Sequence, residues 1–339
     1  MRPTGGVRRY AVELEKAIAT FGESERIGEG LGLGVGRLAG RRVGGSLARL
    51  AVDARASSLA RRADIAHSVY YDCSSLGKRM PLIATFHDCI HERFSVSGNF
   101  RSSVLARDKR RSVERARFVL SISESTARDA AEFYRLNGSR SVVIYPPVGD
   151  VFTSKRMARP KPKLPGPYFL FVGPRSGYKE WSTLVHACGL LANAGTEVAL
   201  ISVGGGPLAP SELSLLHETG LAGRHQWLAY VSDEALAEHY RSAVALVCPS
   251  KFEGFGYPVA EALCTGGVCI ASDGGSLAEF GALGCLMFPA GEVEALRDVL
   301  ATCLSKGTAS DTAHQSAAIE AFGTKRFVNQ LKALYSSAI

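Results

Sequence analysis

Ser250-Lys251-Phe252-Glu253-Gly254-Phe255-Gly256-Tyr257-Pro258-Val259-Ala260-Glu261-Ala262-Leu263 is the stretch whose reading decides the fold. It follows the apolar run Val244-Ala245-Leu246-Val247-Cys248, which reads as a buried strand. Proline is favoured at the first position of a helix, where its fixed φ is already helical and its N–H is not needed, so Pro258 predicts a helix start. The order is therefore strand, glycine-rich turn, helix. Glu253 falls in the turn and Glu261, with seven residues between them, about one turn into the helix. Gly254 and Gly256 let the backbone pass close to a ligand, and the N–H groups at the helix start donate to oxygens. A polyhydroxylated, phosphate-bearing molecule suits such a site, and a nucleotide sugar answers that description.

Working outward, strands and helices alternate through most of the chain. In the first part, strands are expected over 65–67, 81–86, 118–122 and 142–145, and helices over 7–18, 102–115 and 124–134, the last capped by Ser123. Residues 22–62 are rich in Gly, Arg and Ala, and a helix over 46–62 is the reading there. Pro146-Pro147 ends the series, and residues 153–167, rich in Lys, Arg, Pro and Gly, read as a linker. In the second part, strands are expected over 168–172, 198–203, 226–228, 244–248 and 268–271. Helices are expected over 181–194, 211–219, 233–241, from 258 onward, over 292–304 and over 325–336. Alternation of this kind predicts an α/β protein with parallel sheets covered on both faces, in two Rossmann-like lobes facing a cleft. The expected division is 1–152, 153–324, and a C-terminal helix over 325–339 that packs back on the first lobe. Ligands bind at the carboxyl ends of strands in open α/β sheets, and the glycine turns, His87 and Glu253 all fall just after predicted strands.

The chain has 339 residues, 46% of them hydrophobic and 21% charged, a globular composition of a size suited to two domains. No apolar run approaches the ~20 residues that cross a bilayer, and the start, Met1-Arg2-Pro3-Thr4-Gly5-Gly6, has no apolar core of a signal peptide. The eight cysteines form no C-x-x-C pair with a partner cluster, so they read as small core residues of a protein in a reducing cytoplasm, not as zinc ligands. The net charge of +8 has one conspicuous contributor, the run Arg101, Arg107, Lys109, Arg110, Arg111, Arg115 and Arg117. Read blandly it is a solvated helix face; read functionally it attracts an anionic membrane surface or a phosphorylated acceptor. No nucleic-acid recognition motif accompanies it.

Glu253 and Glu261, with Gly254, Gly256, Pro258 and Gly266 in register, resemble the E-x7-E motif of retaining GT-B glycosyltransferases, in particular glycosyltransferase family 4. The loop Val172-Gly173-Pro174-Arg175-Ser176-Gly177-Tyr178-Lys179 resembles the family's basic loop, in which an Arg and a Lys hold the diphosphate, and Thr85-Phe86-His87-Asp88 resembles its T-x-H-D segment. The resemblance runs from Gly5 to the last helix and is strongest over 168–290. It implies a GT-B fold and retaining, metal-independent transfer of a hexose to a saccharide or lipid-linked saccharide in envelope polysaccharide synthesis. No D-x-D element argues for a metal. Retention without an enzymic nucleophile implies front-side attack assisted by the leaving phosphate. The loop from Arg175 to Lys179, with His87-Asp88, is most similar to that of bacterial polysaccharide mannosyltransferases, which favours GDP-mannose as donor with UDP-hexoses open, and no cofactor. The protein is expected in the cytoplasm, with peripheral contact at the inner face of the membrane.

Carried over residue by residue, the resemblance makes Arg175 and Lys179 the diphosphate cations, Glu253 the ligand of donor-sugar hydroxyls and His87 a positioning or charge-stabilising group beside the sugar. Glu261 is expected to accept from the ribose hydroxyls, and the backbone of Phe255, Gly256 and Tyr257 to meet sugar or phosphate. Gly204 and Gly205, in the turn Gly204-Gly205-Gly206, are expected near the nucleotide, Tyr230 and Val231 beside the base, and Gly6 at phosphate or acceptor. His67 and His91 keep structural readings, and Ser276-Leu277-Ala278-Glu279 reads as a capping box. In the family a strand precedes the Gly5-Gly6 loop; here the chain begins at the loop, so that first strand is expected to be missing. The competing class is a non-catalytic nucleotide- or partner-binding module on the same fold. A sugar phosphorylase would want a lysine-bound pyridoxal site, which no local feature suggests.

Overall fold

The computed structural model describes residues 6–22, 37–38, 41–42, 64–71, 80–94, 100–154, 166–306 and 311–339. The chain forms two units, Met1–Pro147 together with Lys325–Ile339, and Val148–Thr324.

The first unit opens with the helix Gly6–Ile18, which buries Tyr10, Leu14 and Ala17, one face at helical spacing. A short antiparallel pair follows, β1 (Arg37–Leu38) with β2 (Arg41–Arg42). The sheet consists of β3 (Ala66–Ser68), β4 (Leu82–Phe86), β5 (Phe118–Ser121) and β6 (Ser141–Val143), all parallel and in chain order. All five residues of β4 are buried. Such a continuous apolar run marks a parallel strand covered on both faces. Ser123 caps the helix Glu124–Tyr134 as expected: its Oγ accepts from the Thr126 N–H at 3.0 Å, and the Thr126 hydroxyl accepts from the Ser123 N–H at 3.0 Å. The last helix, Thr324–Ala338, sets Phe327 edge-on to Tyr10 and the Tyr335 hydroxyl 2.6 Å from His67 Nδ1.

The second unit holds one all-parallel sheet of six strands: β7 (Tyr168–Val172), β8 (Ala199–Val203), β9 (His225–Leu228), β10 (Ala245–Cys248), β11 (Cys269–Ser272) and β12 (Leu286–Phe288). Their spatial order is β9-β8-β7-β10-β11-β12. Counted from β7 this is 3-2-1-4-5-6, the doubly wound order of a dinucleotide-binding fold. Phe169, Phe171, Trp181, Leu184, Val247 and Ile270 are among the buried residues of its core.

The differences from expectation are local. The strand expected over 142–145 ends at Val143. The elements Ile90–Phe94, Asp150–Thr153 and β12 are five residues or fewer, too short for a period to show. The helix Thr312–Phe322 carries mostly alanines and polar residues, with no apolar stripe to announce it. Ser276 does not form a capping box: the 3₁₀ turns Ser276–Leu283 start from Gly275 without a side-chain cap, and the Ser276 hydroxyl turns instead to the carbonyls of Glu253 and Phe255 at 3.0 and 2.8 Å. The helix expected over 46–62 and residues 155–165 of the expected linker lie outside the described residues. Seven of the cysteines are described; all are free and buried.

Candidate functional site

In a doubly wound sheet the chain leaves β7 to one side and returns through β10 on the other, so the loops after these two neighbours open a crevice at their carboxyl ends. Lys179 ends the short turn Gly177–Lys179 after β7, and Glu253 lies in the loop after β10. Lys179 Nζ donates to Glu253 Oε1 at 2.6 Å, and the Ser250 hydroxyl donates to the same oxygen at 2.6 Å. The two loops are stitched together by Lys251 N–H donating to Tyr178 O at 2.7 Å and by the Lys251–Glu180 ion pair at 2.8 Å. Burial, the largest single influence, pulls the Lys179 ammonium down, but the charge and hydrogen bond of Glu253 together with Tyr178 and Cys248 outweigh it and the net shift is upward.

The Glu253 backbone is fixed by a parallel bridge to Gly275, and its carbonyl accepts from the Ser276 N–H at 3.1 Å. Gly256 turns the chain into the helix Tyr257–Thr265 at φ +99°; a Cβ there would stand 2.9 Å from Leu277 Cδ2, so glycine is required twice over. Pro258 is therefore the second helical residue, one later than expected. Phe255 sends its ring into the core against Tyr257, Phe280 and Phe322, which leaves its backbone for any ligand role. Glu261 is buried on the next helical turn, where its Oε2 accepts from the Tyr240 hydroxyl at 2.8 Å.

The turn Gly204-Gly205-Gly206 follows β8, with φ of +88°, +77° and +77°. Arg175, from the loop after β7, makes five hydrogen bonds into it and beside it. Nη1 donates to Gly204 O at 2.9 Å, Nη2 to Gly206 O at 2.8 Å and Pro207 O at 3.0 Å. Nε and Nη2 fork onto the Glu212 carboxylate at 3.0 and 3.1 Å. Burial opposes ionisation of Glu212 most strongly of any single influence, but the hydrogen bonds from Arg175 and the Ala209 N–H, with the nearby positive charge, together outweigh it and hold the carboxyl below its ordinary range. The Arg175 side chain is only 2% exposed, against 18% for Lys179.

In the first unit, His87 follows β4 and is buried. Its N–H donates to the Tyr71 hydroxyl at 2.9 Å, and its Nε2 lies 2.7 Å from Val69 O. A carbonyl only accepts, so Nε2 carries the proton and Nδ1 the lone pair of the neutral ring. Burial pushes the pKa of His87 down to about 4, against the raising effect of the Val69 hydrogen bond. Lys109, expected on a solvated face, is buried instead: its Nζ donates to Asp88 O at 2.7 Å and Glu92 Oε2 at 2.9 Å, and it sits 5.2 Å from the Tyr71 ring centroid. His67 bridges Thr85 and Tyr335, in keeping with its structural reading, and burial pushes its pKa down to about 3. His91 is exposed on the helix Ile90–Phe94.

Tyr230, 62% exposed, and Val231 follow β9 just before the Ser232-capped helix Asp233–Ser242. Gly6 is exposed at the start of its helix, and Gly5 lies outside the described residues. Ser250, Glu212, Tyr240 and Lys109 were not among the expected site residues. Only Glu212 had a local signal, as the third residue of a helix with Pro210 at its start, where its Oε2 accepts from the Ala209 N–H at 2.8 Å. Among the described residues no cluster of three or more His, Cys, Asp or Glu is placed to hold a metal ion, and no helix is long and apolar enough to cross a membrane.

Two family models match the chain, Glycosyltransferase Family 4 over residues 4–150 and Glycosyl transferases group 1 over residues 154–320. The serotype-specific mannosyltransferase WbdA of Escherichia coli is 28% identical over 258 residues, an alignment that covers 70% of this chain and 31% of WbdA. The chain thus spans about a third of the length of that relative. Among solved structures, Anabaena HepE in complex with UDP and glucose superposes with a TM-score of 0.77 at 17% identity, covering 99% of this chain and 97% of that one. Sucrose-phosphate synthase from Thermosynechococcus elongatus gives 0.72 at 18% identity, covering 98% and 93%. At these identities the structural likeness bears on the fold.

Proposed function

From the premise that the chain is a glycosyltransferase of the GT-B fold, we propose that it belongs to the retaining enzymes of family 4. In this reading it transfers a hexose, mannose before others, from a nucleotide sugar to a saccharide or lipid-linked saccharide acceptor. The observation that carries this reading is the meeting of Lys179 and Glu253 at 2.6 Å across the switch point of the second sheet. A nucleotide sugar presents the two chemistries that this pair answers. Its diphosphate competes for the ammonium, and its sugar hydroxyls compete for the carboxylate. The mannosyltransferase relative supports mannose, and GDP-mannose is the donor proposed. HepE, solved with UDP and glucose, keeps UDP-hexoses in view.

In the proposed reaction the anomeric C–O bond to the diphosphate breaks as the acceptor oxygen bonds on the same face, and the acceptor proton passes to the departing phosphate oxygen. Lys179 offsets the charge growing on that phosphate without a metal. Glu253, held by Ser250, fixes the sugar hydroxyls, and Glu261 and Tyr240 form the acidic floor for the ribose. In the first unit, His87 is neutral with its lone pair on Nδ1 and so offers a hydrogen-bond acceptor without adding charge. Tyr230 and Val231 flank the base. The exposed Arg107, Arg110 and Arg111 offer an anionic membrane surface a peripheral contact.

The test is a thermal-shift screen of nucleotide sugars followed by a transfer assay with the best one. Selective stabilisation by a GDP- or UDP-sugar, with turnover to an acceptor, is the expected result. Binding without turnover under every acceptor condition would instead support a nucleotide-binding module, and no binding at all would sink the reading.

A further inference from the structure

We propose that Arg175 is a positioning residue: together with Glu212 and Trp227 it sets the Gly204-Gly205-Gly206 turn for the nucleotide, and it does not itself hold the diphosphate. The proposal rests on reading the second unit as the nucleotide-sugar unit. Arg175 shares its loop with Lys179, and from sequence the two cations are interchangeable. The structure separates them. Lys179 faces one carboxylate in the crevice and keeps partial exposure. Arg175 is turned the other way, 2% exposed and engaged by a carboxylate fork and three carbonyls.

Three consecutive residues at positive φ cannot be held by a strand or helix ladder, and a turn of this kind depends on what ties its carbonyls. Here Gly204 O accepts from both Arg175 Nη1 and Trp227 Nε1, each at 2.9 Å, while Gly206 O and Pro207 O share Arg175 Nη2. With those carbonyls drawn inward, Gly205 and Gly206 are exposed, and among the described residues neither of their N–H groups has a hydrogen-bond partner. Outward N–H groups on a turn after a parallel strand suit an anion such as a diphosphate. Glu212 completes the device. Its carboxylate orients the guanidinium fork and also accepts from the Ala209 N–H, which ties the end of the turn to the helix Pro210–Glu218. Gly205 has no room for a side chain, since a Cβ would lie 3.0 Å from both Arg175 Nη1 and Gly173 O.

The two roles make opposite forecasts for a conservative change. A phosphate ligand acting by charge is largely replaced by lysine, whereas a planar fork on a carboxylate and three carbonyls is not. The experiment is calorimetric titration of the full chain with GDP and UDP, in wild type, Lys179→Ala, Arg175→Lys, Arg175→Ala, Glu212→Gln, Glu212→Ala and the Arg175→Ala/Glu212→Ala double variant, at two salt concentrations. Thermal melts accompany each protein. For the better-binding nucleotide, Arg175→Lys and Arg175→Ala should weaken binding alike, by roughly 10- to 100-fold. Glu212→Ala should match them, the double variant should be no worse than either single, and the salt dependence should stay that of wild type. Glu212→Gln, the mildest change, tests the fork if a harsher variant does not fold, and should lose affinity in the same sense.

Near-wild-type binding by Arg175→Lys, tighter binding by Glu212→Ala, or a salt dependence reduced in Arg175→Ala would each overturn the proposal and return Arg175 to the phosphate. These outcomes leave the functional reading intact so long as wild type binds and Lys179→Ala does not. If wild type binds neither nucleotide, the reading of the unit fails and the proposal falls with it.

Discussion

The turn after β4 in the first unit and the loops after β7 and β10 in the second both stand at the carboxyl ends of parallel strands, yet burial leaves their polar groups in opposite states. His87 has lost water and is pushed down to about 4, so it is neutral near pH 7. Lys179 has lost water too, but Glu253 at 2.6 Å, with smaller help from Tyr178 and Cys248, keeps it charged. A buried ionisable group without a counter-charge gives up its charge; one with a close counter-charge keeps it and gives up freedom of movement. The first arrangement suits a hydrogen-bonding surface that must not repel a substrate. The second suits a site that must meet a charged one.

The comparison breaks most visibly if the pair in the second unit is dispensable. Glu253→Ala and Lys179→Ala should each lower kcat by roughly 10² to 10³-fold with native circular dichroism, and each should also lower the melting temperature, because it leaves a mostly buried charge unpaired. Full activity in either variant would refute the assignment. A second challenge lies inside the first unit, which also contains a pair, Lys109 with Glu92. Lys109→Met leaves Glu92 partly buried without its cation and should destabilise the protein by about 3 kcal/mol in urea unfolding. Adding Glu92→Gln should recover part of that loss, and no recovery would mean that Lys109 acts through packing on Tyr71 and Phe86 rather than through charge.

The third prediction sharpens the neutral side. Below pH about 6.5 the unfolded chain takes up protons on its histidines. His87 and His67 in the folded chain resist until near about 4 and about 3. The unfolded state therefore binds more protons across that window, so stability falls as pH drops from about 6.5 towards 4. Replacing His87 with Gln should flatten the dependence of melting temperature on pH over that range. An unchanged slope would mean that His87 is not held neutral.

Much of the fold was legible because strand and helix periods are local. The strand Tyr168–Val172 matches its apolar run to the residue, and Ser123 caps the helix it was expected to cap. Legibility failed where an element was too short for a period, as in β12, or where a local rule had a stronger competitor. Ser276 fits a capping box in sequence, but its hydroxyl closes the loop around Glu253 instead. In the site, the E-x7-E spacing named Glu253 and Glu261, but nothing near Glu253 in sequence named its partner 74 residues earlier.

By itself the sequence determined an α/β chain in which acids, glycines and a histidine follow strands, because side-chain periodicity and turn chemistry act over a few residues. Which polar groups meet was decided only in three dimensions. The order β8-β7-β10 brings together the ends of strands far apart in the chain. That order gave Lys179 to Glu253, gave Arg175 to Glu212 and the glycine turn, and so separated two cations that lie four residues apart and look alike in sequence. Lys109 makes the same point in the first unit, one member of a basic run withdrawn from water because Asp88 and Glu92 are there to receive it. Coulomb attraction and burial depend on distance through space, and no spacing along the chain encodes that distance until the sheets form.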